Sequence, residues 1–382
     1  MQRPVSFLGG LNADAFLTTH WQKAPLFVKG ALPGYQPPLD ADELAGLACE
    51  PDVETRLIQQ TPEDRWLLEH GPFDEERFSQ LPESHWTLLV QDLEQHVPEV
   101  TRLLDLLDFL PAWRIDDVMA SFAAPSGSVG PHYDEYDVFL LQVEGYRRWE
   151  ISDCFDRDQL RDDTPLRLLR EFRPQQSWVL GPGDLLYLPP RVAHFGVAQG
   201  PCVTYSLGCR APSVSALVAT AARAVMDATP ETERVTAERE RPRSARHEIT
   251  TADAALVAEH LRRAFDWSPE RTQRLFARLT TVPKALFARD DIEPLAAAEV
   301  ETVLAAAEGL VRRKGSRWAH CAGSTQRYLF VDGLEYSTQV NPSLLERLCS
   351  TVEHSEAWVR ERMADEAERR LLFDLVRDGH LE

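Results

Sequence analysis

Short β-type runs crowd the first 210 residues, and no other feature limits the fold as sharply. They are Ile115–Ala123, Val138–Val143, Arg147–Ser152, Trp178–Leu180, Leu185–Leu188 and Val203–Leu207. Each is rich in branched and aromatic residues, and turn chemistry such as Gly181-Pro182-Gly183-Asp184 separates them. Several short strands at this spacing predict an antiparallel barrel or jelly roll. Near residue 211 the texture changes. Residues 213–228 and 250–266 are Ala- and Leu-rich at helical period, with a charged, exposed linker expected between them. From about 281, helices alternate with one hairpin, in which Asp332-Gly333 joins Tyr328–Val331 to Leu334–Tyr336. A last helix is expected over Glu366–Arg377, stopped by Gly379. With 382 residues the chain is long enough for such a division, at 1–210, 211–280 and 281–382.

Charge narrows the partners. Lys and Arg number 41 and Asp and Glu 61, a net charge of −20. Such a surface repels phosphate backbones and attracts basic proteins, so no direct nucleic-acid binding is expected. The six cysteines contain no C-x-x-C pair, which signals neither a zinc site nor a thioredoxin motif and fits a reducing, cytoplasmic setting. The opening residues lack a secretory pattern, and no apolar run is long enough to span a bilayer. No membrane association is expected.

One stretch carries chemistry. In Gly130-Pro131-His132-Tyr133-Asp134, His132 and Asp134 are two apart, so on an extended chain they share a face. A second histidine, His194, follows the turn at 181–184 and the pair Pro189-Pro190. Two imidazoles and a carboxylate on one side of an ion leave positions open for cosubstrate and O2, the facial triad of non-haem Fe(II) oxygenases. A bare H-x-D is a weak signal. The ordered second half, turn, strand, proline pair and histidine, makes it specific. If 2-oxoglutarate is the cosubstrate, its distal carboxylate needs a cation at the pocket floor. Arg147 and Arg148 open the next run, and alternation turns only one inward. Arg147 is assigned that role.

These residues resemble the Jumonji C (JmjC) hydroxylases, in particular the bacterial ribosomal oxygenases. The resemblance rests on Phe16 with Trp21-Gln22-Lys23-Ala24-Pro25, on Ile115–Phe122, on Val129–Phe139, on Arg147-Arg148-Trp149, and on the stretch from Gly183 to His194. It implies a mixed α/β multidomain chain: a double-stranded β-helix (a cupin-like jelly-roll barrel), then a helical dimerisation region, then a C-terminal winged-helix-like domain. It implies Fe(II) on His132, Asp134 and His194. It also implies 2-oxoglutarate on Arg147, helped by the Ser121 hydroxyl, with O2 as the second cosubstrate. The implied substrate is an arginine of the sixteenth large-subunit ribosomal protein, hydroxylated on its β-carbon by a homodimeric enzyme. Related enzymes hydroxylate histidine, and Jumonji-type lysine demethylases use the same iron site. A metal-binding cupin scaffold without catalysis is the remaining alternative.

Strand parity extends the reading to the substrate. If Ser121 faces the cosubstrate, Met119 and Asp117 face the same interior, and Tyr136 lies near the mouth. Asp117 would accept from a guanidinium while Met119 and Tyr136 clamp its methylene stem, and Ser206 would add a polar contact. Glu135 and Asp137 are expected to point away from the metal. The other histidines, such as His354 and His380, are read as surface or core residues.

Overall fold

Asp137–Glu144 is a strand whose first seven residues are all buried, which alternation against a single core cannot produce. A computed structural model of the chain, which describes residues 6–235, 247–288, 293–306 and 308–382, gives the reason. Val138 and Leu140 pack inward with Trp149, Ile151, Leu186 and Leu188. Phe139, Leu141 and Val143 pack outward against Phe7, Phe16, Leu44 and Leu107 of an N-terminal helical layer. The sheet is thus covered on both faces, so its strands read as unbroken apolar runs.

The chain divides into two units, one ending at Ala211 and one beginning at Pro212. The first holds eleven strands among its described residues: β1 Leu26–Val28, β2 Thr55–Gln60, β3 Trp66–His70, β4 Trp86–Val90, β5 Ile115–Ala123, β6 Asp137–Glu144, β7 Arg147–Ser152, β8 Gln176–Leu180, β9 Leu185–Leu188, β10 Ala193–Ala198 and β11 Cys202–Cys209. Eight form one sheet in the order β1-β9-β6-β11-β5-β4-β2-β3, and β10-β7-β8 form a second. All the pairings are antiparallel. His132 lies outside any strand but exchanges backbone hydrogen bonds with His194 (3.1 and 2.8 Å), which extends the smaller sheet. This is the expected cupin-like barrel, with extra strands on one edge. The turn at 181–184 also behaves as read: Gly183 has φ +85°, and Asp184 accepts from the Gly181 and Gly30 amides (2.9 and 2.7 Å).

The second unit combines helices with small antiparallel sheets. Its helices include Val214–Ala228, Thr251–Ala264, Pro269–Thr280, Ala297–Ala306, Pro342–Ser350, Glu356–Arg362 and Glu366–Arg377. Its strands are β12 Gly309–Val311, β13 Trp318–Ala322, β14 Arg327–Val331, β15 Leu334–Thr338 and β16 Glu353–Ser355. The Asp332-Gly333 hairpin turns with both residues at positive φ (51° and 82°) and joins β14 to β15 in register. The final helix is capped by Asp365 and followed by Gly379 at φ +69°. Leu329, Leu345, Leu372 and Leu375 centre this unit's core. Much of the charged linker expected between the Ala-rich helices, 236–246, lies outside the described residues. No helix among the described residues is long and apolar enough to cross a membrane.

Candidate metal and cosubstrate site

Three side chains named from spacing converge at the barrel mouth. Ligand atoms of His132, Asp134 and His194 lie within 4.8 Å of one another, the only such cluster among the described residues. The imidazole centroids are 4.2 Å apart, and His194 Nε2 is 3.6 Å from Asp134 Oδ2. The local backbone sets this geometry. His132 Nδ1 is 2.9 Å from the Gly130 carbonyl and His194 Nδ1 is 3.0 Å from the Val192 carbonyl. Each ring therefore spends Nδ1–H on a carbonyl two residues back and leaves Nε2 for the cluster. Burial and the neighbouring His132 push His194 down to about 4, so this imidazole is neutral at ordinary pH. The Arg191 amide bonds the Asp134 carbonyl (2.7 Å), tying the two halves of the motif together.

The interior beside this cluster holds a guanidinium that no carboxylate among the described residues neutralises. Arg147 is only 2% exposed. Its hydrogen-bond partners are neutral oxygens: Ser121 Oγ at 3.0 Å, Gly196 O at 3.4 Å and Thr204 Oγ1 at 3.5 Å. It also lies 5.0 Å from the centroid of the Trp149 ring, and its Nε has no partner. Burial pulls its pKa below the ordinary arginine value. A buried cation without an anion is costly, and that cost is relieved when an anion enters. The residues present therefore fit both groups: a divalent metal on two imidazoles and a carboxylate, and a dicarboxylate reaching from it to Arg147.

Gly196 makes the room. A Cβ there would stand 2.7 Å from Trp149 Cζ3 and 2.9 Å from Arg147 Nε. Gly196→Ala is expected to weaken 2-oxoglutarate binding about tenfold and to destabilise the fold by about 1–3 kcal/mol, read by calorimetry and thermal melting.

The remaining named residues line the same interior. Ser206 pairs with Met119 in the β11–β5 register, and Asp117 is 4% exposed on the same face of β5. Met119 packs beside Ile58, Trp66, Leu89 and Leu168. Burial, and then the neighbouring Asp134 carboxylate, raise the Tyr136 pKa, which keeps the phenol neutral. Arg210 covers the Tyr136 ring at 5.1 Å. Asp137 accepts from Tyr187 and Gln22 (2.5 and 3.2 Å), and Glu135 pairs with Arg191, so both turn from the metal cluster as expected. His380 bonds Asp332, while His354 is buried and stacked on Trp358.

Sequence reading missed four contributors. Thr204 shares a face with Ser206 on β11, so the parity argument used on β5 would have found it. Gln142 is an amide inside an apolar run, a signal passed over. Gln91 donates to Asp117 Oδ2, and Arg56 contacts Gln91 Oε1 (3.0 Å) and Met119 Sδ (3.9 Å). Neither lay in a recognised run.

A jelly-roll barrel with two histidines and one carboxylate at its mouth defines a cupin-type metal barrel. The family model described as JmjC domain matches residues 102–217, so the chain carries a JmjC domain, and its resemblance to ribosomal oxygenases holds in the comparisons. It is 39% identical over 221 residues to a probable ribosomal oxygenase of Haemophilus influenzae, covering 54% of this chain and 52% of that protein. It is 40% identical over 211 residues to the ribosomal protein uL16 3-hydroxylase of Escherichia coli, covering 54% of this chain and 55% of that protein. Each match thus spans about half the length of the curated relative. A structure of the E. coli ribosomal oxygenase YcfD superposes over 100% of this chain and 99% of its own, with TM-score 0.81 and 29% identity. Another structure of YcfD, with cobalt and 2-oxoglutarate, covers 97% of this chain and 98% of its own at the same score and identity.

Proposed function

We propose that this chain is an Fe(II)- and 2-oxoglutarate-dependent oxygenase that hydroxylates the β-carbon of an arginine in the sixteenth large-subunit ribosomal protein, uL16. The observation that carries the reading is the uncompensated Arg147 guanidinium in the barrel that bears the His132, Asp134 and His194 cluster. A binding scaffold has no use for it. The name of the E. coli relative supplies uL16, and the arginine is what the family resemblance implies.

In this reading His132 Nε2, Asp134 and His194 Nε2 hold the metal, and the Gly130 and Val192 carbonyls keep both rings aimed. Fe(II) held there would supply the redox chemistry by which O2, the oxidant, with 2-oxoglutarate as co-reductant, inserts oxygen into an unactivated C–H bond. Arg147 and Ser121 receive the distal carboxylate and fix the cosubstrate's direction. Asp117, oriented by Gln91, accepts from the substrate guanidinium. Met119 and Tyr136 flank its stem, and Ser206 adds a polar contact. The surrounding apolar walls exclude water. A net charge of −20 steers a basic ribosomal protein toward the site.

The layout we propose is a catalytic domain over 1–210, a helical dimerisation region over 211–280 and a winged-helix-like domain over 281–382. Helices Val214–Ala228 and Thr251–Ala264 bury none of their described residues, and Val214, Val218, Met226 and Leu261 are each more than half exposed, as an unpaired homodimer face would be. The assigned setting is the cytoplasm, without nucleic-acid or membrane contact.

Intact-mass analysis of ribosomal proteins with and without the chain tests the reading. One oxygen atom added to uL16, mapped to an arginine, supports it. Addition on a histidine of another ribosomal protein, formaldehyde release, or no succinate would assign a histidine hydroxylase, a demethylase or a scaffold instead. Asp117→Asn is expected to lower kcat/KM for the protein substrate about 10- to 100-fold while leaving the 2-oxoglutarate Kd unchanged. An unchanged kcat/KM would remove Asp117 from the substrate pocket.

A further inference from the structure

The Arg147 pocket depends on a residue that does not touch it. The β11–β6 ladder slips between Val203 and Thr204, so that Val203 faces Glu144 and Thr204 faces Gln142. Such a slip leaves backbone carbonyls to be satisfied and re-aims the neighbouring side chain. The Gln142 side chain, on a residue with no exposure, fills the gap. Its amide nitrogen donates to Glu144 O at 2.8 Å and Val203 O at 3.2 Å. With the nitrogen committed there, its Oε1 faces Thr204 and accepts the Thr204 hydroxyl proton at 2.9 Å. A threonine hydroxyl has one proton. With that proton spent on Gln142, the lone pairs of Thr204 Oγ1 face Arg147 Nη1.

We infer that Gln142 is a positioning residue for the cosubstrate pocket, acting through Thr204: it fixes the polarity of that hydroxyl so that Arg147 is held from behind by acceptors alone. Ser121 and Thr204 then share Nη1, Gly196 O takes Nη2, and Nε is left for an incoming carboxylate. Turned the other way, the Thr204 proton would point at the guanidinium, repel it and release it from its place. This inference rests on the proposed role of Arg147 and adds a residue to it.

The test is a double-mutant cycle on the full chain loaded with Co(II), with 2-oxoglutarate as the titrant and its Kd read by calorimetry, without turnover. Thr204→Val and Gln142→Met are each expected to weaken binding about tenfold, the scale of one hydrogen bond to a charged group. Because both act through one hydroxyl, the double variant should be no more than about twofold weaker than either single one. Thr204→Ser, which keeps the hydroxyl, should stay within about threefold of wild type. A lower melting temperature of Gln142→Met is expected either way, because two buried carbonyls lose their donor, but a purely structural role would give additive affinity losses, about 100-fold in the double variant, which would overturn the inference. If Gln142→Met fails to fold, Thr204→Val still decides, because wild-type affinity in that variant overturns the inference. Arg147→Met separates the two layers: if it binds 2-oxoglutarate normally, the role of Arg147 itself is wrong.

Discussion

Asp134→Ala is expected to abolish hydroxylation and uncoupled 2-oxoglutarate turnover, by at least about 1,000-fold, while leaving the protein folded. The carboxylate is the only charged member of the cluster. Without it, only the two imidazoles remain to hold a cation, and Co(II) or Mn(II) affinity should fall with activity. The fold should survive because the contact that seats this segment is made by the backbone: the Asp134 carbonyl holds the Arg191 amide whatever side chain residue 134 carries. Metal titration and thermal melting on the same sample check both halves. Turnover near the wild-type rate would refute the metal assignment. A collapse of the melt would mean that the side chain is structural.

Arg147→Met should behave in the opposite sense to an ordinary loss of a buried contact. The ligand-free protein should melt at the same temperature or higher, because a buried guanidinium surrounded only by neutral oxygens is replaced by an apolar side chain of similar reach. Affinity for 2-oxoglutarate should drop about 100-fold or more, because a charge-assisted anchor is gone. Added 2-oxoglutarate would then no longer raise the melting temperature, since that rise is linked to binding. Melting with and without the cosubstrate separates these effects. A large loss of stability without ligand would show that Arg147 is a structural residue.

The legibility of this chain follows from where its signals are local. Ile115–Ala123, Arg147–Ser152, Leu185–Leu188 and Glu366–Arg377 were read with the bounds the structure gives them, because strand composition, turns and caps act over a few residues. The metal cluster was legible because parity places His132 and Asp134 together. β10 was missed although it carries His194: Ala193-His194-Phe195-Gly196 has little β-branched content, and its strand form comes from pairing with β7. β2 and β3 were missed because polar residues such as Arg56, Gln59 and Glu69 interrupt them, and β4 because it is short and pairs only with strands distant in sequence. Gln91 and Gln142 act through tertiary geometry: Asp117 lies 26 residues from Gln91, and Thr204 lies 62 residues from Gln142.

The double covering of β6 has a bearing on what counts as one folding unit. The JmjC match begins at residue 102, yet the outer face of the sheet is sealed by Phe7, Phe16, Leu44 and Val100, all of which precede it. Cut at that boundary, the barrel would offer Phe139, Leu141, Tyr187 and Tyr205 to water as a continuous greasy wall and would stick to its own copies. The N-terminal hundred residues, which supply none of the metal ligands, are therefore what allows the catalytic barrel to exist in solution.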